Sequence, residues 1–436
     1  MTTSSNLRQG VRLVDIVALG AGMAIGVSLF SIFAPATKLA GTGLSIALLL
    51  ATVPMVVFAV VYAFMGSTVP VSGASYEWPT RFVHPFVGYI IAWLRILGST
   101  GAMVVLALVL VRHWATIVDL PLKPTIFGVF LLFYVLNVLG VSVASKAQTL
   151  LVGLLLAAMA VFVVAGAPHV DFENFTPALS TGWQGVLLAV PLLVSLYLGI
   201  ETAAEIGEEI RDARRTFARG IAISIGTTLV TYGAVALVTL GTLGAPDLAA
   251  SEAPLRDVAA KELGSTAAVF IIVAATLAIT TSLNALLMIF SRYLFAMGRR
   301  GVLPAALARV HPRFGTPHVA ATVALACCTA GLLLPTDLVF LFLAVNIPTM
   351  LKYLGTCLSA VVVARRHPEL LESGGFRLGR GVVQGWAIAG ILAAVAIVVA
   401  GFSADWRPYA VLGVWAVVGV GYWLVRRPAL ATDDSS

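Results

Sequence analysis

Three ionisable side chains lie deep inside long apolar segments of the chain: Arg95, Glu201 and Lys352. If such a segment crosses a bilayer, a charge at its middle costs about 2.5–3.5 kcal/mol on insertion scales, so the residue usually has a partner and a role. An acid and a base held together there can carry a proton or open and close a path between helices. The alternative for Arg95 and Lys352 is that their long side chains extend to the membrane surface.

The first apolar segment contains a stretch of small residues from Leu19 to Pro35, with glycines at positions 20, 22 and 26 and serines at 28 and 31. A glycine lowers helix stability by about 1 kcal/mol relative to alanine, so this helix is weak. In a membrane, a broken helix is tolerated only where its freed backbone lines a cavity or a binding site. The alternative is close packing of helices at Gly22 and Gly26.

The sixth apolar segment carries a second set of helix-breaking residues, because Pro191, Gly199 and Glu201 all fall within it. Two interrupted helices in corresponding positions indicate a transporter built from inverted repeats, with the binding site where the repeats meet. The first and sixth segments are an odd number of crossings apart. The two halves would therefore have opposite orientations in the membrane, as that architecture requires.

The composition is that of a polytopic membrane protein. Of 436 residues, 60% are hydrophobic and only 11% are charged, whereas a soluble domain has about 25% charged residues. The net charge of +7 does not indicate nucleic-acid binding, because the lysines and arginines fall in short loops. Cys327, Cys328 and Cys357 lie in apolar segments without disulfide or metal-ligand spacing. We therefore expect no cofactor and no metal cluster.

A transmembrane helix needs about 20 predominantly apolar residues, and twelve segments approach or exceed that length. They are residues 13–34, 44–66, 86–111, 125–142, 146–166, 186–206, 217–243, 266–297, 319–334, 338–363, 384–402 and 409–425. Most of the 27 lysines and arginines fall on one side of this map. Because positively charged loops stay in the cytoplasm, we predict a multi-pass protein of the plasma or inner cell membrane with both termini in the cytoplasm.

Four stretches, in this order, resemble motifs of the amino acid–polyamine–organocation (APC) superfamily of transporters. They are Gly22–Phe30 (compare G-x-x-[IM]-G-S-G-[IV]-F), Val69–Tyr76 (compare P-x-S-G-G-x-Y), Leu198–Glu201 with the charged tail Gly207–Arg215, and Ser291–Arg292 with Ala296–Pro304. The resemblance covers about residues 11–425.

The resemblance implies an all-α integral membrane protein with the leucine-transporter fold and 12 transmembrane helices in a single domain, residues 1–436. Two inverted repeats of five helices would occupy residues 13–166 and 186–363, with helices 1 and 6 broken. Residues 384–425 would form the two accessory helices.

The chain departs from the family motifs at three positions. The usual Gly-Ser-Gly is Gly26-Val27-Ser28 here. An aromatic residue that some antiporters carry aligns with Ser195, and a lysine that some proton-coupled relatives carry aligns near Leu155. These differences leave both the substrate and the coupling ion open.

The resemblance places an amino acid or a related amine at the two helix breaks. The half-helix beginning near Val27, with the Ser28 hydroxyl, would offer N–H groups to a carboxylate, and carbonyls near Ala24 and Leu198 would accept an ammonium. The expected substrate-binding residues are Gly22, Ala24, Ile25, Gly26, Val27, Ser28, Ser99, Ser195, Leu198 and Gly199. Met103, Asn284 and Leu286 are further candidates for the side-chain pocket. The alternative role for these residues is helix packing.

The resemblance also places Arg95, Glu201 and Tyr353 in one layer on the cytoplasmic side of the substrate. We predict that Arg95 and Glu201 form an ion pair that closes this side, with Tyr353 stacked on the pair or hydrogen-bonded to it. The glutamates of residues 205–209 and the arginines that follow them are expected to form a solvated face.

The coupling ion is expected to be a proton or sodium. Glu201 is the best candidate for an intramembrane proton carrier. The sodium candidates Thr280, Thr281 and Ser282 can bind a cation together with carbonyls of the first helix. Hydroxyls in membrane helices more often bond the preceding turn, so sodium is the weaker alternative.

We therefore predict a secondary active transporter of an amino acid or related amine that works by alternating access. The alternative is an amine, polyamine or amino-acid exchanger without ion coupling; a channel or receptor is less favoured, because the sequence has no pore helix or repeated filter. An enzyme is not expected, since no nucleophile–base pair falls within the segments. The expected partners are the small-molecule substrate, the coupling ion and the lipid bilayer.

Overall fold

The computed structural model of the chain describes residues 10–26, 29, 32–115, 118–251, 253–333, 338–404 and 406–433. Within these ranges no β-strand forms, although isolated bridges join Val11 to Ile210 and Ser72 to Ile206. The α-helices are α1 (Leu13–Ala24), α2 (Phe33–Ala40), α3 (Leu44–Thr68), α4 (Ala74–Phe82), α5 (Pro85–Trp114), α6 (Leu122–Val138), α7 (Val141–Gly166), α8 (Gly182–Val194), α9 (Ala213–Leu243), α10 (Ala245–Ala250), α11 (Pro254–Leu263), α12 (Ala267–Arg299), α13 (His318–Gly331), α14 (Leu338–Arg366), α15 (Pro368–Ser373), α16 (Arg380–Ala404) and α17 (Arg407–Asp433).

Eight helical stretches among the described residues are long and apolar enough to cross a membrane. They are Phe33–Thr68, Pro85–Arg112, Val141–His169, Ala213–Leu243, Val269–Arg299, Val345–Arg366, Arg380–Val399 and Arg407–Arg426. Four shorter apolar helices, α1, α6, α8 and α13, fall in the remaining predicted segments. The all-α, multi-pass prediction is confirmed. The count of twelve crossings also needs the four shorter helices and stays a prediction.

The first predicted segment is interrupted where its glycines weaken the helix. α1 ends at Ala24, Ile25 and Gly26 form a bend, and α2 begins at Phe33. The predicted binding residues Val27 and Ser28 lie outside the described residues.

The sixth predicted segment is also interrupted. α8 ends at Val194 and is followed by three short 3₁₀ turns between residues 195 and 209. At the bend, Gly199 has a φ of +109°, which residues with a Cβ rarely adopt. A Cβ at this position would also lie 2.3 Å from Met23 Cγ of α1. Glycine therefore allows the two interrupted segments to touch.

The start of α1 is bound to the end of the sixth segment by main-chain hydrogen bonds. The N–H groups of Gly10 and Val11 donate to the Glu209 carbonyl at 3.0 and 3.1 Å, and the Arg211 N–H donates to the Val11 carbonyl at 2.9 Å. The two interrupted segments thus contact each other at the Gly199 bend and again where residues 10 and 11 bind residues 209–211.

Burial separates the central helices from the peripheral ones. In the most apolar stretch of each helix, 78% of the residues are buried in α5, compared with 22% in α16 and 17% in α17. α16 packs on α3 and α14, and α17 packs on α5 and α14. The last two helices therefore cover one side of the bundle.

Candidate functional site

A cavity of about 90 Å³ lies where the two interrupted segments meet. Its walls come from α1, the turn at residues 198–202, α5, α12 and α14. The lining residues are Met23, Arg95, Gly98, Ser99, Ala102, Leu198, Gly199, Glu201, Thr202, Leu286, Ile289, Val345, Pro348, Thr349 and Lys352. Apolar groups thus form most of the wall, and ionisable groups come from α5, the turn and α14.

Three of the predicted substrate-binding residues, Ser99, Leu198 and Gly199, line this cavity. From α1 the wall residue is Met23. Ser195 begins the turn after α8, and its side chain lies outside what the structure describes. Four predicted residues of the first segment are not part of the wall: Gly22, Ala24, Ile25 and Gly26.

The end of α1 is bound to two neighbouring helices through its carbonyl groups. The Tyr232 hydroxyl of α9 donates to the Ala24 carbonyl at 2.7 Å, and the Thr281 hydroxyl of α12 donates to the Gly22 carbonyl at 2.9 Å. The sequence predicts bare carbonyls at the end of α1, but α9 and α12 supply hydroxyl donors to both. The Leu198 carbonyl, by contrast, has no donor among the described residues.

The candidate sodium ligands take two orientations. Thr280 bonds the preceding turn, with its hydroxyl 2.7 Å from the Thr276 carbonyl. The Thr281 and Ser282 hydroxyls also lie within hydrogen-bond distance of the Ala278 carbonyl in their own preceding turn, at 2.7 and 3.3 Å, but they reach the Gly22 carbonyl of α1 as well, at 2.9 and 3.3 Å. Of the three candidates, Thr281 and Ser282 therefore have the orientation that a cation site shared with α1 would need.

The three further candidates for the side-chain pocket, Met103, Asn284 and Leu286, differ in their positions. Leu286 lines the cavity, whereas Met103 is buried away from it. Asn284 donates to Gln148 Oε1 at 2.9 Å and to the Ala144 carbonyl at 3.1 Å. Asn284 thus joins α12 to α7 in a buried polar contact and packs as a structural residue.

Glu201 is buried at the cavity wall, and its carboxylate accepts hydrogen bonds from three donors. Lys352 Nζ of α14 donates to Oε1, the Tyr353 hydroxyl donates to Oε2 at 2.7 Å, and the Gly199 N–H donates to Oε2 at 3.2 Å. The Lys352 ammonium also lies 4.8 Å from the centroid of the Tyr353 ring. The buried acid therefore has a buried base as partner, and it is connected directly to the bend at Gly199.

Arg95 pairs with Glu205 in the structure, which corrects the predicted pairing with Glu201. Arg95 Nη1 lies 2.8 Å from Glu205 Oε1 and also donates to the Ser75 hydroxyl. The guanidinium carbon lies 4.7 Å from the centroid of the Tyr293 ring. Arg95 is only 5% exposed, so it does not extend to the membrane surface either. The physical reason is the 3₁₀ turn Thr202–Glu205: at about three residues per turn, residues four apart point in different directions, so Glu201 meets α14 and Glu205 meets α5.

The predicted solvated face is wrong for the glutamates, since Glu205 and Glu209 are buried and Glu208 is partly buried, whereas Arg211, Arg214 and Arg215 are exposed as predicted. Glu209 is 0% exposed and accepts hydrogen bonds from Arg292 Nε at 2.8 Å and Nη2 at 3.0 Å. Glu208 accepts a similar pair from Arg299, both at 3.0 Å. Planar guanidinium groups match carboxylates in this two-point geometry. The tail of the sixth segment is therefore bound firmly to the end of α12.

Sequence reasoning missed the role of Glu205 as a partner and left Lys352 unpaired. A usable pattern was present, because Glu201, Glu205 and Glu209 recur every fourth residue beside an apolar segment. On a helix such residues share one face and need partners when buried. Thr202 also lines the cavity, but a lone threonine in an apolar segment carries no comparable pattern.

Comparison with known proteins agrees with this architecture. A sequence model of the family described as amino acid permease matches residues 12–424. An uncharacterized transporter from Mycobacterium tuberculosis is 31% identical over 335 residues, 75% of each chain. A branched-chain amino acid permease of Bacillus subtilis is 25% identical over 97% of this chain and 94% of its own. A methylthioribose transporter of the same bacterium is 27% identical over 85% and 84%. The chain therefore belongs to the amino acid permease family of the APC superfamily and is a multi-pass membrane transporter.

Proposed function

We propose that the protein is a secondary active transporter that moves an amino acid with a small apolar side chain across the cell membrane. The observation that carries this proposal is the cavity between the two interrupted segments, with the buried Glu201–Lys352 ion pair in its wall. Substrate sites of secondary transporters lie at such interruptions, because free backbone groups there can bind a charged ligand.

The backbone supplies the contacts to the charged ends of the substrate. The Leu198 carbonyl is our candidate to accept the ammonium group, because Leu198 lines the cavity and its carbonyl has no donor among the described residues. Val27 and Ser28 remain our candidates for the carboxylate, through N–H groups of the first segment; the Gly26 N–H already donates to the Ala24 carbonyl at 2.8 Å. Neither contact requires a charged side chain.

The lining and size of the cavity favour a small apolar side chain. Met23, Ala102, Leu286, Ile289 and Val345 form its apolar walls, and contact with such walls stabilises a ligand in proportion to the apolar area it buries. A volume of about 90 Å³ equals that of about three water molecules. The name of the Bacillus subtilis relative, a branched-chain amino acid permease, agrees with an aliphatic substrate.

The Glu201–Lys352 pair is the proposed site of proton coupling. Both side chains line the cavity, so substrate and proton can influence each other there. Protonation of Glu201 would neutralise the partner of Lys352 and weaken the bond to Gly199, which belongs to the substrate site. A lysine that some relatives carry aligns near Leu155 of this chain, and the buried base beside Glu201 is Lys352 of α14.

Alternating access is the proposed mechanism, with the side that contains residues 205–209 closed in this structure. The Arg95–Glu205 and Arg292–Glu209 pairs join the tail of the sixth segment to α5 and α12. Loop charge assigns this side to the cytoplasm. We also propose that the chain crosses the membrane twelve times as a single domain. Two inverted repeats of five helices would form its core, and both termini would lie in the cytoplasm.

Uptake into proteoliposomes tests this function. The panel contains alanine, valine, leucine, phenylalanine, arginine, a polyamine and methylthioribose, each under a proton gradient, a sodium gradient, or neither. We expect saturable accumulation of alanine or valine under the proton gradient. Uptake that requires only internal amino acid would indicate an uncoupled exchanger, and accumulation driven by sodium alone would favour Thr281 and Ser282. Transport of methylthioribose without any amino acid would overturn the substrate proposal.

A further inference from the structure

A second, larger cavity lies on the outside of the bundle, between the start of α1 and the first half of α7. Its volume is about 570 Å³, within the usual range of ligand sites. From α1 and the residues before it come Gly10, Arg12, Val14 and Asp15; from α7 come Ser142, Lys146, Thr149, Leu150, Gly153 and Leu154. We call it the α1–α7 groove. It is separate from the central cavity, since the two share no lining residue.

The groove has a basic end and an apolar end. Arg12 and Lys146 are exposed at the basic end and form no ion pair with any described residue. The acid in the groove, Asp15, is already bound by the Arg12 N–H at 2.8 Å and the Thr149 hydroxyl at 3.0 Å. An anion at this end would therefore meet two available cations and a carboxylate that is already hydrogen-bonded.

The apolar end continues along α7 towards the middle of the bilayer. Leu150 is 64% and Leu154 48% exposed, and at 1.5 Å per residue Leu154 lies about 12 Å further along α7 than Lys146. Between these leucines, Gly153 leaves open space, because a Cβ added there would meet nothing within 4 Å. The groove can therefore hold an extended hydrocarbon chain next to α7.

We propose that the α1–α7 groove binds an anionic phospholipid of the adjacent leaflet, with its phosphate between Arg12 and Lys146 and one acyl chain along Leu150, Gly153 and Leu154. Basic sites between helices at the membrane edge suit anionic headgroups, and the apolar end excludes a free phosphate as the natural occupant. Because the groove is shared by α1 and α7, the bound lipid holds these two helices together and stabilises the arrangement seen here.

The test measures lipid binding directly and does not depend on which substrate is transported. The purified protein is titrated with dioleoyl-phosphatidylglycerol, with dioleoyl-phosphatidylcholine as the neutral comparator, and bound lipid is counted by native mass spectrometry. We expect phosphatidylglycerol to bind selectively to the wild type. The double variant Arg12→Gln/Lys146→Gln should bind it about ten- to thirtyfold more weakly, because both headgroup cations are lost.

Matched controls separate this site from general charge effects. Arg219→Gln/Arg365→Gln removes two exposed cations from elsewhere on the proposed cytoplasmic side and should bind phosphatidylglycerol as the wild type does. Gly153→Phe, which fills the apolar end without changing charge, should also weaken binding, whereas Gly128→Phe, at an equally open position on α6, should not. Equal binding of both lipids by the wild type, or unchanged binding by both the charge variant and Gly153→Phe, would overturn the proposal.

Discussion

Arg95 and Glu205 form a buried ion pair between α5 and the turn that follows the bend in the sixth segment, with 2.8 Å between Nη1 and Oε1. The same turn is bound to α4, because the Ser75 N–H donates to Glu205 Oε2 at 3.3 Å. The Tyr293 hydroxyl of α12 donates to the Arg95 carbonyl at 3.1 Å. One residue pair thus joins four parts of the molecule just beyond the central cavity.

This pairing predicts coupled effects of mutation at Arg95 and Glu205. Removing one partner of a buried pair leaves an uncompensated charge and typically costs about 3–5 kcal/mol. We expect Arg95→Met and Glu205→Gln each to lower the free energy of unfolding, and the double variant to recover part of the loss. Thermal unfolding of the detergent-solubilised protein measures this.

The control for this comparison of single and double variants is Arg95→Met combined with Glu201→Gln. These two residues belong to different ion pairs. Their effects on the free energy of unfolding should therefore be closer to additive than those of Arg95 and Glu205. Stronger coupling of Arg95 to Glu201 than to Glu205 would show that the pairs are exchanged in the membrane.

A second prediction concerns proton coupling. Glu201→Gln keeps the shape of the side chain and removes its charge. We expect it to abolish accumulation driven by a pH gradient while exchange of internal for external substrate continues, because exchange needs no net proton movement. Glu369→Gln, at an exposed carboxylate in α15, serves as the matched control and should accumulate normally. Proton-driven accumulation by Glu201→Gln would remove this residue from the coupling mechanism.

The third prediction concerns the bend between the interrupted segments. Gly199→Ala places a Cβ 2.3 Å from Met23 Cγ and at a φ of +109°. We expect substrate affinity to fall at least tenfold, measured by scintillation proximity or uptake. Gly226→Ala, where a Cβ meets nothing within 4 Å, should retain affinity. Adding Met23→Ala to Gly199→Ala should restore part of the lost affinity, because it removes the contact with Met23 but leaves the backbone strain. Full substrate affinity in the single variant Gly199→Ala would contradict the proposed site.

The fourth prediction concerns the closed side of the transporter. Arg292→Met removes both donors to the fully buried carboxylate of Glu209, so the balance should shift towards opening on the proposed cytoplasmic side. The reporter is Thr202→Cys, a buried cavity residue, in a background with the three native cysteines replaced. Labelling by a membrane-impermeant thiol reagent should become several-fold faster in Arg292→Met.

The comparison variant for this measurement is Arg256→Gln, which breaks an exposed ion pair with Asp257 at 3.7 Å. Exposed pairs contribute about 0–1 kcal/mol, so the labelling rate should not change. Equal labelling rates in Arg292→Met and the wild type would mean that the Arg292–Glu209 pair does not hold this side closed.

Sequence reasoning was most effective where local chemistry determines the structure. The glycines after Leu19 and the pair Pro191 and Gly199 mark the two interruptions, because each residue weakens a helix by itself. Long apolar runs likewise mark the helices without knowledge of their neighbours. The family motifs, which record the arrangement of the whole chain, supplied the expectation that the first and sixth segments meet.

Partner choice could not be predicted in the same way. Glu201 and Glu205 are four residues apart, so on a continuous helix both would lie on one face and either could meet Arg95. The chain between them forms a 3₁₀ turn at Thr202–Glu205 instead of a continuous α-helix, so residues four apart no longer share a face. That local winding depends on tertiary contacts that a sequence does not show. The hydroxyl donors to the end of α1 are non-local for the same reason, since Tyr232 lies on α9 and Thr281 on α12.

The main-chain hydrogen bonds from Gly10 and Val11 to Glu209 make the start of the first segment and the end of the sixth one mechanical unit. Because Arg292 binds the Glu209 side chain at the same time, α1 cannot swing outward alone. It must break three main-chain bonds or carry residues 209–211 with it. Opening on this side would therefore move α1 together with residues 209–211, and it would also strain or break the Arg292–Glu209 pair.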